Sequence, residues 1–140
     1  NKIKVLKEPY KYKNYFDLIL IDVPCTGSGI WRRRPEDLIK LNKEIFIELV
    51  NIQYKILQQA SKLCKENGII SYITCSLFEE ENEKQINTFL LKNKNFKKID
   101  LFNKNLLNEN NFFKKKKYLT INPSDINSDG FFICTLKKIN

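Results

Sequence analysis

The sequence contains no methionine and no histidine, one tryptophan, and only four glycines, four prolines and four cysteines in 140 residues. Each scarcity excludes something. Without histidine, a Cys-His hydrolase centre cannot be built within the chain. The cysteines, Cys25, Cys64, Cys75 and Cys134, form no CxxC pair, so no metal site is expected from them. The best apolar run, Leu18 to Ile21, is bracketed by Asp17 and Asp22 and falls far short of the roughly 20 residues of a membrane span. The basic start, Asn1 to Tyr15, lacks the apolar core and cleavage site of a secretory signal. Reduced cysteines in a cytoplasmic protein are therefore expected rather than a disulfide framework. A chain without methionine cannot begin at its own start codon, so a piece of something longer is expected.

What is present is a core and a charge. Hydrophobic residues make up 42% of the chain, enough to drive packing, and 25 Lys+Arg against 16 Asp+Glu leave a net charge of +9. Such a balance suits a polyanion, because lysine and arginine gain affinity by displacing phosphate counterions. The lysines accompany heavy use of Asn and Ile, a composition typical of AT-rich coding, so their number carries little weight. The three arginines carry more: they are contiguous, Arg32, Arg33 and Arg34, in a chain with no other arginine.

Tyr15 to Ile21 is nearly all apolar, the pattern of a strand buried on both faces. It leads into Asp22-Val23-Pro24-Cys25 and the loop Thr26-Gly27-Ser28-Gly29. From about Asn42 to Lys65, Ile45, Phe46, Leu49, Ile52, Ile56, Leu57, Ala60, Leu63 and Cys64 recur on one helical face, with Asn67-Gly68 as the stop. Ile69 to Thr74 reads as a second buried strand. Ser76 and Glu79 then have capping-box spacing and predict a helix to about Lys94, with Ile86, Phe89 and Leu90 inward. Phe96 to Leu101 is a weaker strand, residues 103–118 an Asn/Lys-rich insertion with an exposed run Lys114 to Lys117, and Phe131 to Leu136 a last strand after Asp129-Gly130.

Alternating strands and helices define an α/β fold with a mostly parallel sheet. Ligands of such sheets bind beyond the carboxyl ends of the strands. Asp22, Cys25 and Cys75 all fall there, so two thiols and a carboxylate should face one crevice. Cys75, just ahead of the expected helix, would feel the positive end of its dipole, which lowers a thiol pKa, with Glu79, Glu80 and Glu81 opposing. Cys64 and Cys134 read as core. The Gly27-Ser28-Gly29 loop lacks the Lys-Ser/Thr ending of a P-loop.

The motifs resemble those of a known family. Asp22-Val23-Pro24-Cys25-Thr26-Gly27-Ser28-Gly29, followed by Arg32-Arg33-Arg34-Pro35-Glu36, resembles the D-A-P-C-S-G-x-G … R-R-x-P-D block of the Nol/Nop/Sun (Fmu-like, RsmB-type) RNA cytosine-5 methyltransferases. Tyr72-Ile73-Thr74-Cys75-Ser76 and Glu80-Glu81-Asn82-Glu83 are similar to its Y-x-T-C-S … E-E-N-E block. Gln53 with Ile56-Leu57 matches its Q-x-x-I-L helix, and Asp129-Gly130-Phe131-Phe132 its terminal D-G-F-F strand.

The resemblance implies a Rossmann-like fold dependent on S-adenosyl-L-methionine (AdoMet), with residues 1–140 its C-terminal portion and the last strand antiparallel. It implies Cys75 as the nucleophile adding to cytosine carbon 6, Cys25 as the residue assisting release of the adduct, and Asp22 as an acid lining the cofactor and cytosine site. Arg32, Arg33 and Arg34 would grip RNA, with small-subunit ribosomal RNA expected ahead of transfer RNA and a monomer as the acting species. The family's glycine-rich cofactor segment is expected before residue 1, so the chain alone is expected to be inactive. A non-catalytic RNA-binding remnant is the alternative. Departures are Val23 for Ala, Arg34 for His, Glu79 for Pro, and Thr120-Ile121-Asn122-Pro123-Ser124 where the family has R-x-x-P-H.

Overall fold

A computed structural model describes residues 8–100, 118–124 and 127–139. The expected insertion at 103–118 lies outside them except at its last residue. The first strand, β1 (Phe16–Asp22), pairs in parallel with β2 (Cys64–Thr74). Between them runs the long helix α2 (Lys43–Leu63), preceded by the short α1 (Pro35–Lys40). Asn42 caps α2, its side chain accepting a hydrogen bond from the Ile45 amide at 2.8 Å. That bond satisfies one of the amides a helix start leaves unpaired.

Helix α2 stops at Leu63, ahead of Asn67-Gly68, because Cys64 turns extended while its amide still closes on Ala60. Asn67-Gly68 acts inside β2 instead. There the pairing with β1 jumps from Phe16–Cys64 to Leu18–Ile69, and Asn67 adopts φ 61° to absorb the extra residues. A side chain on Gly68 would lie 2.8 Å from the Cys64 sulfur and 3.0 Å from the Phe16 carbonyl. Glycine is what lets the bulge close against β1.

The helix expected from Ser76 is shorter than its pattern. Helix α3 spans Glu83–Lys92, and the capping box does not form, since the Ser76 amide donates to Thr74 Oγ1 and Glu79 pairs with Lys84; Asn82 precedes the helix without a side-chain cap. Residues 76–82 are an irregular connection. The inward face is as read: Ile86 and Phe89 are fully buried and Leu90 packs against the core. Each of the two buried side chains contributes about 2 kcal/mol of burial.

The remaining strands are β3 (Phe96–Ile99), β4 (Leu119–Ile121) and β5 (Phe131–Lys138). The order is β1-β2-β5-β3, with β5 antiparallel to β2 and β3, and β4 pairing the other end of β5. The parallel direction of β1, β2 and β3 and the antiparallel last strand agree with the fold expected, and β4 is an addition. On one face of the sheet Ile70, Tyr72, Phe132, Cys134 and Leu136 meet Leu57 and Ala60 of α2 and Ile86 and Phe89 of α3. On the other, Leu18 and Leu20 remain 56% and 66% exposed. The expectation that β1 is buried on both faces is thus corrected: only Ile19 and Ile21 pack inward. No described helix is long and apolar enough to cross a membrane.

Candidate active site

Two loops leave the carboxyl ends of the adjacent parallel strands β1 and β2, and each carries a half-buried cysteine. The Cys25 and Cys75 sulfurs lie 3.2 Å apart, in hydrogen-bond contact. This contact sets their ionisation. A thiolate at Cys75 accepts the S–H of Cys25, which holds Cys75 down at about 7 against the opposing effects of burial and of the Asp22 and Glu81 charges. The same contact, with burial, pushes the Cys25 thiol far up. The two titrate as a unit in which Cys75 is the anionic member and Cys25 the donor. The helix dipole expected to activate Cys75 is not the source, because α3 begins only at Glu83. Of the expected opposing acids, Glu79 and Glu80 are paired with Lys84, and Glu81 alone bears on the thiol.

The loops are locked together by polar groups. The Glu81 carboxylate, fully buried, accepts from the Thr26 amide (2.9 Å), the Thr26 hydroxyl (2.6 Å), Gln53 Nε2 (2.8 Å) and the Ser76 hydroxyl. Gln53 Nε2 also donates to the Pro24 carbonyl at 2.9 Å. Tyr72 donates to the Glu81 carbonyl at 2.6 Å, and burial pushes that phenol up. Thr74 donates to Asn82 at 2.6 Å, and Asn82 Nδ2 donates to the Ser76 carbonyl at 2.8 Å.

The glycine loop closes the third side. Gly27 turns at φ 67°, the Gly29 amide donates to the Cys75 carbonyl, and the Gly130 amide donates to the Gly29 carbonyl, both at 2.9 Å. A Cβ on Gly29 would fall 2.8 Å from the Gly130 Cα. Trp31 donates to the Thr26 carbonyl at 3.1 Å and stacks edge-on against Phe78, which meets Phe46 of α2.

Asp22 is exposed, and its carboxylate has no hydrogen bond or ion pair among the described residues; it lies within electrostatic reach of Cys75. The three arginines part company. Arg33 forms a two-pronged pair with Asp129, and Arg34 pairs with Asp37 at 3.1 Å and Glu36 at 3.5 Å. Among the described residues Arg32 forms no ion pair. Burial pushes Cys134 up to about 12 and raises Cys64, consistent with core positions.

Sequence reasoning missed the hub. Glu81 was visible as a motif residue and as an opposing charge, without a partner. The signal available was Gln53, a polar residue breaking the apolar face of α2, since a buried amide there requires polar partners.

A mixed α/β sheet with an antiparallel last strand carries two thiols in contact at the carboxyl ends of its parallel strands, and comparison with known proteins places this arrangement among methyltransferases. The family model for "16S rRNA methyltransferase RsmB/F" matches residues 3–137. The chain is 33% identical over 123 residues to the probable ribosomal RNA small subunit methyltransferase B of Bacillus subtilis (strain 168), covering 88% of this chain and 28% of that protein. It is 30% identical over 123 residues to ribosomal RNA small subunit methyltransferase F of Aeromonas salmonicida (strain A449), covering 88% and 26%. Among solved structures, PH0851 superposes with a TM-score of 0.78 at 32% identity, over 90% of this chain and 27% of that one. NSun6 from Pyrococcus horikoshii superposes at 0.71 and 24% identity, over 97% and 34%. The chain belongs to the RsmB/F methyltransferase family, and it spans little more than a quarter of the length of these two curated relatives.

Proposed function

We propose that this chain is the C-terminal part of the catalytic domain of an AdoMet-dependent RNA cytosine-5 methyltransferase acting on small-subunit ribosomal RNA. The observation that carries the reading is the thiol pair, one member anionic near neutral pH and the other a neutral donor at 3.2 Å. Carbon 5 of cytosine is a poor nucleophile. The Cys75 thiolate adds to carbon 6, which moves electron density to carbon 5. AdoMet, when bound, supplies an electrophilic methyl group. A base then takes the carbon-5 proton, and the Cys75–carbon bond breaks to return the thiolate. Cys25, kept as a thiol beside the leaving sulfur, stabilises that thiolate and so assists release.

The exposed Asp22 carboxylate, without a hydrogen bond or ion pair among the described residues, fits a hydrogen-bonding role toward AdoMet or the cytosine ring. Arg32, without an ion pair among the described residues, is the readiest to meet an RNA phosphate, with the exposed Arg33 and Arg34 beside it in the same grip. The target base must leave its stack to reach the sulfurs. A monomer in the reducing cytoplasm suits a centre that needs both thiols free.

The test is covalent trapping of the complete polypeptide with RNA containing 5-fluorocytosine plus AdoMet, since fluorine at carbon 5 blocks loss of the proton. Wild type and Cys25→Ala should accumulate a denaturation-resistant adduct, and Cys75→Ala should give none. RNA bound but never trapped would favour a binding role without catalysis.

A further inference from the structure

We propose that Glu81 is the positioning residue of the thiol pair: its carboxylate clasps the two loops and so holds Cys25 against Cys75. The observation is the distribution of its donors. The Thr26 amide and hydroxyl come from the loop of Cys25, one residue beyond the sulfur. The Ser76 hydroxyl comes from the loop of Cys75, also one residue beyond. Gln53 comes from α2 and ties the same carboxylate to the Pro24 carbonyl, one residue before Cys25. A single fully buried side chain therefore meets one flank of each cysteine, and through Gln53 it is tied to the other flank of Cys25.

The inventory of hydrogens leaves little slack. Both hydrogens of Gln53 Nε2 are committed, to Pro24 and Glu81, and its oxygen faces Gln85 Nε2 at 3.3 Å, which also donates to the Val50 carbonyl. The clasp is anchored on α2 and α3 rather than floating between loops. Among the described residues Glu81 forms no ion pair, so hydrogen bonds alone answer its charge. Its importance for methyl transfer rests on the reading of Cys75 as nucleophile; the clasp itself does not.

The titratable groups facing Cys75 are Asp22 at the end of β1, Cys25 from the loop after it, and Glu81 from its own side. This makes two substitutions act in opposite directions. Glu81→Gln preserves volume. Its carbonyl can take the Thr26 amide and Gln53, and its NH2 can meet the two hydroxyls. The sulfur contact persists, but a negative charge is gone, so a thiolate at Cys75 is favoured. Glu81→Ala removes the clasp, and with it the Cys25 donor that chiefly holds Cys75 down.

The experiment follows alkylation of Cys75 by iodoacetamide across pH, read by mass spectrometry of the Cys75 peptide in the complete polypeptide, with circular dichroism as the check on fold. In Glu81→Gln the midpoint should fall by about half a pH unit, and in Glu81→Ala it should rise by about one unit or more. Should Glu81→Ala not fold, Thr26→Val, which loses one donor to the clasp, should raise the midpoint in the same sense. A residue that only fills the core would lower stability and leave these midpoints at the wild-type value, and that result overturns the proposal. Shifted midpoints with no RNA adduct in wild type would leave the clasp standing and sink the methyltransferase reading instead.

Discussion

At the residue scale, the reactivity of Cys75 comes from a neighbour, not from a helix. Its pKa of about 7 depends first on the Cys25 hydrogen bond, while burial, Asp22 and Glu81 all work against the anion. Below pH 7 the Cys75 sulfur takes up a proton and alkylation should slow; above it the rate should plateau. Cys25→Ala removes the stabilising donor and leaves every opposing effect, so the alkylation midpoint should climb toward or beyond the ordinary thiol value of 9.0. Cys25→Ser keeps a hydroxyl donor and should recover part of the drop. The 3.2 Å separation has a second consequence. A mild thiol oxidant should join Cys25 to Cys75 ahead of any pairing with buried Cys64 or Cys134, as read by peptide mapping without reductant.

At the element scale, the loops are held by backbone as well as by Glu81. Gly29 sits against Gly130 with no room for a methyl group, and its amide is bonded to the Cys75 carbonyl. Gly29→Ala should cost about 1–3 kcal/mol in denaturant unfolding and raise the Cys75 midpoint as the loop is pushed aside. Asn42→Ala, at the far end of α2 from Cys64, should cost about 1 kcal/mol and leave the midpoint alone. The sequence pattern located β1, α2, β2 and β5 because their apolar periodicities are strong. It failed after Cys75, where Ser76 and Glu79 have the spacing of a cap. The Ser76 oxygen accepts from the Phe78 amide, but the Ser76 amide donates to Thr74 Oγ1 and Glu79 pairs with Lys84, so the reciprocal box does not close and α3 begins only at Glu83. The gathering of Asp22, Cys25 and Cys75 at the strand carboxyl ends was legible because strand ends are predictable. The clasp was not, because its partners are separated by 55 residues from Thr26 to Glu81 and by 28 from Gln53 to Glu81.

At the scale of the whole molecule, the sheet is two-faced. One side is packed under α2 and α3, and the other carries exposed Leu18 and Leu20 beside half-buried Ile69, Ile73 and Ile133. The uniformly apolar β1 reads as a doubly buried strand from sequence, because residue type reports an affinity for burial and not which partner supplies it. The net charge of +9 is likewise summed over the whole chain. If the molecule grips RNA as proposed, affinity should fall steeply with salt, and Arg32→Ala should reduce the slope of log K against log salt by about 0.7. Arg33→Ala should instead release the half-buried Asp129, at a stability cost of about 1 kcal/mol because the Arg33 partner is exposed.

The most direct test of the account is the identity of the cysteine bonded to trapped RNA. Digesting the 5-fluorocytosine adduct of the wild-type polypeptide and sequencing the cross-linked peptide by mass spectrometry should find the nucleotide on Cys75, with Cys25 unmodified. A nucleotide carried by Cys25, with Cys75 free, would reverse the roles assigned to the two sulfurs and contradict the account.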